Sequence, residues 1–352
     1  DLGVDRLSFH VGTLHPQAIG IAWNWAKGDG LTDEIRVAPE AIHSDAYLKT
    51  PLYRVAEYGE HFRGDPRDPA IAARYPFLNE LAGDGLTLYH AFPLGGGRGR
   101  LNAGTVGSCR PEGLSAEEEA VLERLFRIFA LHLHRHVAQR VSDNVARTYL
   151  GDAAARRVLD GTIARGAGEP VEAVIWSSDL RGFTDLGERL PPETTLAVLD
   201  HYFEAMAGAV LDGGGEVLKF IGDGLLATFP IAAFGSRREA ARAAVAAAGR
   251  ALGALATLNE NPPDAIRAAL PLATGIGLHG GEVFFGNVGA PDRLDFTVIG
   301  RAVNVASRIE GLCRPLGRPI LASGLVAQHL DAAVEDLGAH ALKGVAEPVR
   351  VF

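Results

Sequence analysis

From Ser115 onward, apolar residues recur at spacings of three and four: Leu122, Leu125, Phe129, Leu133, Val137, Val141 and Val145. That period is helical, and the stripe is long enough for about seven turns. Ser115 can cap such a helix, and the glutamates of Ser115-Ala-Glu-Glu-Glu sit where the helix dipole favours negative charge. A helix of this length outgrows one domain, so it divides the 352-residue chain into two parts, each able to bury its own core. Two readings of the helix stay open. Its first half packs on an N-terminal sheet, or it forms a dimeric coiled-coil stalk that carries a signal.

Around that divide the chain is ordinary globular protein, 47% hydrophobic and 22% charged. A net charge of -9 argues against a broad footprint on nucleic acid or anionic lipid, so any bound phosphate must be held locally. The most apolar stretch, Ala240 to Leu258, is interrupted by Arg242 and Arg250 and reads as an amphipathic helix rather than a membrane span. Cys109 and Cys313 lie one in each half, which is no disulfide framework and fits a reducing compartment. No targeting segment is visible, and the expected location is the cytoplasm.

The N-terminal part reads as mixed α and β. Residues 5–12 and 18–25 form strand-like runs around a Leu14-His15-Pro16 turn; 75–82 reads as a short helix; 86–94 and 101–108 read as strands joined at Gly95-Gly96-Gly97. Residues 148–170, broken by Gly151, Gly161, Gly166 and Gly168, hold a short helix and form the linker, so the second domain starts near Val171. From there the pattern predicts a strand (171–178), a helix (192–211), a strand pair (215–220, 224–229) and a helix (236–259). A second strand pair (272–279, 281–287), a strand (294–299), a helix (301–316) and short strands near 318–321, 337–342 and 346–352 complete it. Hairpins between long helices imply an α+β fold with helices on one face of the sheet.

Three fragments of this second domain carry chemistry. The strand Val171-Glu-Ala-Val-Ile-Trp-Ser-Ser-Asp179 ends in a carboxylate, followed by Leu180-Arg-Gly182-Phe183-Thr184. An acid at a strand end suits a metal ligand, and the backbone N–H groups of Gly182, Phe183 and Thr184 suit phosphate oxygens, although an Asp after a strand is also a plain turn former. In Lys219-Phe-Ile-Gly-Asp223-Gly224, a turn joins two apolar strands, and an ordinary hairpin would explain it. Lys219 is the exception, a charge in an apolar strand, and a period of two places Lys219, Ile221 and Asp223 on one face. Carboxylates on neighbouring strands can hold two Mg²⁺ ions about 3.5–4 Å apart, the arrangement that steadies attacking and leaving oxygens in phosphoryl chemistry. In Phe296-Thr297-Val-Ile-Gly-Arg301-Ala-Val-Asn304-Val-Ala-Ser-Arg308, Asn304 and Arg308 fall at i and i+4 on one helical face. Arg spreads donors over phosphate charge and Asn orients a ribose oxygen; a surface Asn and a salt-bridged Arg are the structural alternative.

Together these fragments resemble the class III adenylyl and guanylyl cyclase family over roughly Gly151 to Phe352. The resemblance implies a ferredoxin-like, palm-type domain with helices packed on a mainly antiparallel sheet. It makes Asp179 and Asp223 the metal aspartates, the Leu180 carbonyl a further ligand, and two Mg²⁺ (or Mn²⁺) ions the cofactors of each site. Asn304 and Arg308 take the transition-state positions, and Lys343, in Leu342-Lys-Gly-Val, that of a lysine on the terminal phosphates. Lys219 and Thr297 occupy the base-reading positions in the adenylyl pattern: adenine offers an acceptor at N1 and a donor at N6, which a lysine and a hydroxyl match. The implied reaction is attack of the ATP ribose 3′-oxygen on the α-phosphorus with loss of pyrophosphate. The implied assembly is a head-to-tail homodimer, with the aspartates from one chain and Lys219, Thr297, Asn304, Arg308 and Lys343 from the other. Arg301 stands where many bacterial relatives carry Asp.

Three alternatives compete. A guanylyl cyclase is disfavoured by Lys219, and a catalytically silent nucleotide-binding regulator by the retained aspartates, Asn304 and Arg308. A diguanylate cyclase is hinted at by Gly280-Gly281-Glu282-Val283, but the Lys219 and Asn304/Arg308 fragments do not belong to one. In the N-terminal part, Tyr89-His-Ala-Phe-Pro-Leu, the Gly104-Thr-Val-Gly strand and the acidic-capped helix resemble a GAF-type sensor domain. That resemblance implies an unidentified small ligand and control of the catalytic part through the long helix. The expected organisation is a sensor domain (1–140), a signalling helix and linker (116–170) and a catalytic domain (171–352). His132, His134 and His136 invite a metal reading, but only His132 and His136 share a helical face, and two imidazoles make a poor site.

Overall fold

The computed structural model describes residues 3–15, 18–31, 34–95, 102–331 and 334–352. The turns expected at Leu14-His15-Pro16 and Gly95-Gly96-Gly97 fall partly outside them. Two compact units emerge, Asp1–Thr148 and Tyr149–Phe352.

The first unit runs β1 (Arg6–His15), β2 (Ala18–Ala26), β3 (Gly30–Leu31), β4 (Ile35–Val37), α1 (Asp45–Leu48), α2 (Pro51–Tyr58), β5 (Phe62–Gly64), α3 (Pro69–Arg74), α4 (Phe77–Gly83), β6 (Leu88–Pro93), β7 (Ala103–Ser108) and α5 (Ala116–Leu150). Its antiparallel sheet has the order β3-β2-β1-β7-β6-β5, with β4 paired to β2. Alternation along β6 sends Tyr89 and Ala91 to a cluster with Val55, Leu78 and Leu81, and sends Leu88 and Phe92 to another with Leu122 and Phe126. The long helix thus packs its early turns on the sheet, but through Leu122 and Phe126. Leu125 and Phe129 of the expected stripe are exposed, as are Ile128 and Leu131.

The second unit runs α6 (Asp152–Leu159), β8 (Gly168–Leu180), α7 (Phe183–Arg189), α8 (Pro192–Asp212), β9 (Glu216–Ile221), β10 (Gly224–Pro230), α9 (Ile231–Phe234), α10 (Arg237–Glu260), β11 (Thr274–Ala290), β12 (Arg293–Ile299), α11 (Arg301–Leu312), β13 (Ile320–Ala322), α12 (Gly324–Ala327), β14 (Ala339–His340) and β15 (Val349–Arg350). The succession β8-α8-β9-β10-α10-β11 is a βαββαβ unit, and its strands lie in the order β11-β8-β10-β9, every neighbour antiparallel. This is the ferredoxin-like arrangement, extended by β12 and the parallel β13 on β11.

Helices cover both faces rather than one. Val174 and Trp176 of β8 pack with Tyr202 and Met206 of α8 and Ala244 and Ala248 of α10. Ala173 and Ile175 pack on the opposite side with Ala154 of α6 and Ala302 and Ala306 of α11. The cause is legible in β8 itself, whose consecutive apolar residues give it no polar face. The second expected hairpin is a correction: β11 is one strand, paired without interruption to β8 from Thr274↔Leu180 to Gly286↔Gly168. Gly280-Gly281 does not turn the chain. A Cβ at Gly281 would meet Ala302 Cβ at 2.8 Å, so the glycine admits α11 against the sheet.

Candidate active site

Strand register brings the two aspartates together. Asp179 is the penultimate residue of β8 and lies opposite Gly224, the first residue of β10; Asp223 is the residue before it. Gly222, with φ 63°, occupies the first position of the two-residue turn between β9 and β10, where a hairpin demands positive φ. The Leu180 N–H donates to the Asp223 carbonyl at 3.3 Å, which ties the turn to the end of β8. The alternation expected to place Asp223 on the face of Lys219 does not reach it, because β9 ends at Ile221 and Asp223 belongs to the turn.

The carboxyl groups interact directly. Desolvation at the strand end, then the charge of Asp223 and a hydrogen bond with it, pushes Asp179 up to about 6. A third acid lies close by: Glu310 of α11 is raised to about 7 by burial and by the charges of Asp179 and Asp223, with Arg181 opposing. Its Oε1 stands over Gly275, the register partner of Asp179. Further support comes from a hydrogen-bond chain: the Tyr202 hydroxyl donates to Thr274 Oγ1 at 2.8 Å, and the Thr274 hydroxyl donates to the Asp179 carbonyl at 2.9 Å.

The other site residues stand apart from that cluster. Lys219 pairs with Asp295 on β12, two residues before Thr297, which is buried. Asn304 and Arg308 lie on the exposed face of α11, opposite Ala302, Val305, Ala306 and Ile309, and among the described residues neither makes a side-chain hydrogen bond or ion pair. Lys343 is exposed just beyond β14, Phe183 opens α7 half-buried against the core, and Thr184 is exposed. No hydrogen bond or ion pair joins Lys219, Thr297, Asn304, Arg308 or Lys343 to either aspartate among the described residues. Asp295, Glu310, Tyr202 and Thr274 escaped the sequence reading. Only Asp295 carried a signal there, two places before Thr297 and therefore on the same side of its strand.

Among the described residues no trio of His, Cys, Asp or Glu is arranged to hold a metal ion. His132, His134 and His136 are all exposed on α5. What the strand end offers is two carboxylates in contact with a backbone carbonyl beside them. Such an all-oxygen set fits Mg²⁺ or Mn²⁺, which bind through one or two carboxylates and leave their remaining positions to phosphates and water.

The family profile described as "Adenylate and Guanylate cyclase catalytic domain" matches residues 169–350. The chain belongs to that family. Over 167 residues, 47% of its length, it is 37% identical to an adenylate cyclase of Anabaena cylindrica, and over 187 residues, 51% of its length, 33% identical to adenylate cyclase 1 of Rhizobium meliloti (strain 1021). Those matches span 32% and 27% of the two relatives, so the chain covers less than a third of either. Among solved structures, a bacterial light-regulated adenylyl cyclase superposes with a TM-score of 0.51 at 27% identity, covering 67% of this chain and 64% of that one. The aspartate pair therefore lies within a class III cyclase domain, in an α+β unit of ferredoxin-like order. No helix among the described residues is long and apolar enough to cross a membrane. The fragment Gly280-Gly281-Glu282-Val283 lies inside β11, away from any turn.

Proposed function

We propose that this protein is an adenylyl cyclase that converts ATP to 3′,5′-cyclic AMP and pyrophosphate, with two Mg²⁺ or Mn²⁺ ions per site, as a cytoplasmic homodimer. The observation that carries the reading is the Asp179–Asp223 pair. Burial first, and then the charge of Asp223, raises Asp179, and divalent cations would relieve the repulsion between the two. Asp179, Asp223 and the Leu180 carbonyl would hold the ions. When bound, these lower the pKa of the ribose 3′-hydroxyl and neutralise charge on the phosphate oxygens.

The chain's own residues do the rest. Lys219, oriented by Asp295, donates to adenine N1, and the Thr297 hydroxyl accepts from N6. Asn304 orients the ribose, and Arg308 spreads its donors over charge developing at the α-phosphorus. Lys343 and the backbone N–H groups of Gly182, Phe183 and Thr184 take the outer phosphates. The exposed Asn304 and Arg308, with no side-chain bond among the described residues, support a shared site, in which they serve the aspartates of a second copy. The first unit acts as a GAF-like sensor of a small ligand and modulates the cyclase through α5. The apolar residues that α5 leaves exposed, Leu125, Ile128 and Leu131, support its pairing in a dimer.

The test is to incubate the purified protein with Mg²⁺ or Mn²⁺ and either ATP or GTP, and to identify the products by chromatography. Cyclic AMP from ATP, with little cyclic GMP from GTP, is expected. Equal turnover of both nucleotides would refute the base assignment, and no cyclic product from either would refute the enzyme.

A further inference from the structure

At the junction where α5 gives way to α6, one residue separates the two helices. Gly151 has φ 77°, in the left-handed region, and caps α6. It is also wedged: a Cβ there would lie 2.8 Å from the Val217 carbonyl oxygen, a backbone atom of β9 that cannot swing aside. Two independent requirements, the backbone angle and the space, thus fall on the same glycine.

The stretch of β9 that it touches is irregular. Lys219 lies opposite Leu226, but the next partners are Val217 and Ala227, so Leu218 is an extra, unopposed residue, a β-bulge. Bulges bend a strand and re-aim the side chains beside them. Leu218 packs into the same apolar cluster as Leu150, the last residue of α5, and Ala153, Ala154 and Val158 of α6. The helix junction therefore grips the strand at the backbone of Val217 and at the side chain of Leu218, on the residues directly before Lys219.

We infer that Gly151 and the Leu218 bulge are positioning residues for Lys219: the junction sets where the bulged strand lies, and through it where the lysine meets the nucleotide base. A displacement of α5 at this junction reaches Lys219 first and then, through the turn after Ile221, Asp223. This inference rests on Lys219 as the base-reading residue, and it adds that base recognition is under the control of the junction.

Gly161 supplies the control. Its φ of 98° strains an alanine as Gly151 does, but nothing lies within 4 Å of a Cβ there. In the full chain, Gly151→Ala is expected to raise KM for ATP at least tenfold and to shrink the ATP-over-GTP preference at least tenfold, while Gly161→Ala leaves both within twofold. In a Lys219→Ala background, Gly151→Ala should add nothing to the lost preference, since both act through one side chain. A merely structural role would lower the unfolding temperature and the kcat for both nucleotides alike, without changing the preference. Should Gly151→Ala show no cooperative thermal transition, Leu218→Ala, which keeps the glycine, is expected to move KM and preference the same way by threefold or more. Nucleotide preference unchanged within twofold in the folded variants overturns the inference. A wild type that forms no cyclic nucleotide, or a Lys219→Ala variant that keeps full preference, instead defeats the site assignment on which it rests.

Discussion

The two halves of the site are built in opposite ways. At the end of β8, Asp179 and Asp223 are fastened from every side, by strand register, by the Leu180 N–H, and by the Tyr202–Thr274 chain on the Asp179 carbonyl. On α11, Asn304 and Arg308 project from a well-buried helix with no partner of their own among the described residues. A group that must hold cations profits from a fixed frame. A group that must close on a nucleotide held by another chain profits from a rigid helix and free donors. The contrast suits the proposed site divided between two copies, in which the aspartates and the α11 pair meet only across the dimer.

The sharpest way to break the comparison is to disable one half at a time. Asp179→Ala or Asp223→Ala should lower kcat by about a thousandfold or more, and Asn304→Ala or Arg308→Ala by about 10²–10³, the usual scale for losing a group that stabilises transition-state charge. Mixing Asp223→Ala with Asn304→Ala should restore about a quarter of wild-type turnover, because half the dimers are then mixed and each mixed dimer keeps one intact site of two. No recovery would mean that each chain completes its own site.

Lys219 belongs to neither extreme, since Asp295 holds it while its ammonium makes no other side-chain bond among the described residues. Lys219→Ala should cut the ATP-over-GTP preference by about 10–100-fold, measured as the ratio of the two kcat/KM values, because a site built around hydrogen bonds discriminates through them. Asp295→Asn should lose less, keeping the lysine but loosening it. An unchanged ratio in both variants would remove base reading from this corner of the domain.

Most of this was legible where chemistry and periodicity coincide. The hairpin at Gly222-Asp223 follows from its turn residues between apolar strands, the position of Asp179 near the end of β8 from the apolar run before it, and the face shared by Asn304 and Arg308 from a spacing of four. Register was not legible. That Asp179 lies opposite Gly224, and that Glu310 stands over Gly275, are facts of pairing between residues 45 and 35 positions apart, which no local pattern encodes. Gly280-Gly281 misled because glycine marks either a turn or a close approach, and here α11 made it the second. In the first unit, Thr50-Pro51 and Asp68-Pro69 are cap-and-proline pairs that open α2 and α3, a signal present in the sequence but too short to stand out.

The pH dependence sharpens the comparison from the aspartate side. With Asp179 raised to about 6, the metal-free protein takes up a proton there well above the ordinary carboxylate range. Its metal-free stability therefore falls as pH climbs from about 4 to about 6, where the folded state alone holds that proton. Cations reverse the sign, because they bind only the ionised form. The Mg²⁺ concentration for half-maximal activity should rise about tenfold per pH unit below about 6, and the Mg²⁺-induced gain in melting temperature should shrink over the same range. A half-saturating Mg²⁺ concentration that stays flat from pH 7 to pH 5 would show that Asp179 is not a ligand.

The smallest expected effect tests whether the frame behind Asp179 is as fixed as its hydrogen bonds suggest. In Tyr202→Phe the ring stays in the core and only the hydroxyl goes, so packing against Met206 and Trp176 is kept. Thr274 loses the donor to its Oγ1 but still donates to the Asp179 carbonyl, so the strand end keeps its last tether. The loss should be the hydroxyl's buried neutral hydrogen bonds to Thr274 and Ser178, about 1–2 kcal/mol of stability. Turnover should fall less than about threefold, since no group that meets the nucleotide has moved. Thr274→Val removes the tether itself while keeping the side-chain shape, and it should cost more in Mg²⁺ affinity than Tyr202→Phe at a similar cost in stability. If the two variants instead weakened Mg²⁺ equally, the Asp179 carbonyl bond would be incidental, and the fixed character of this half of the site would rest on strand register alone.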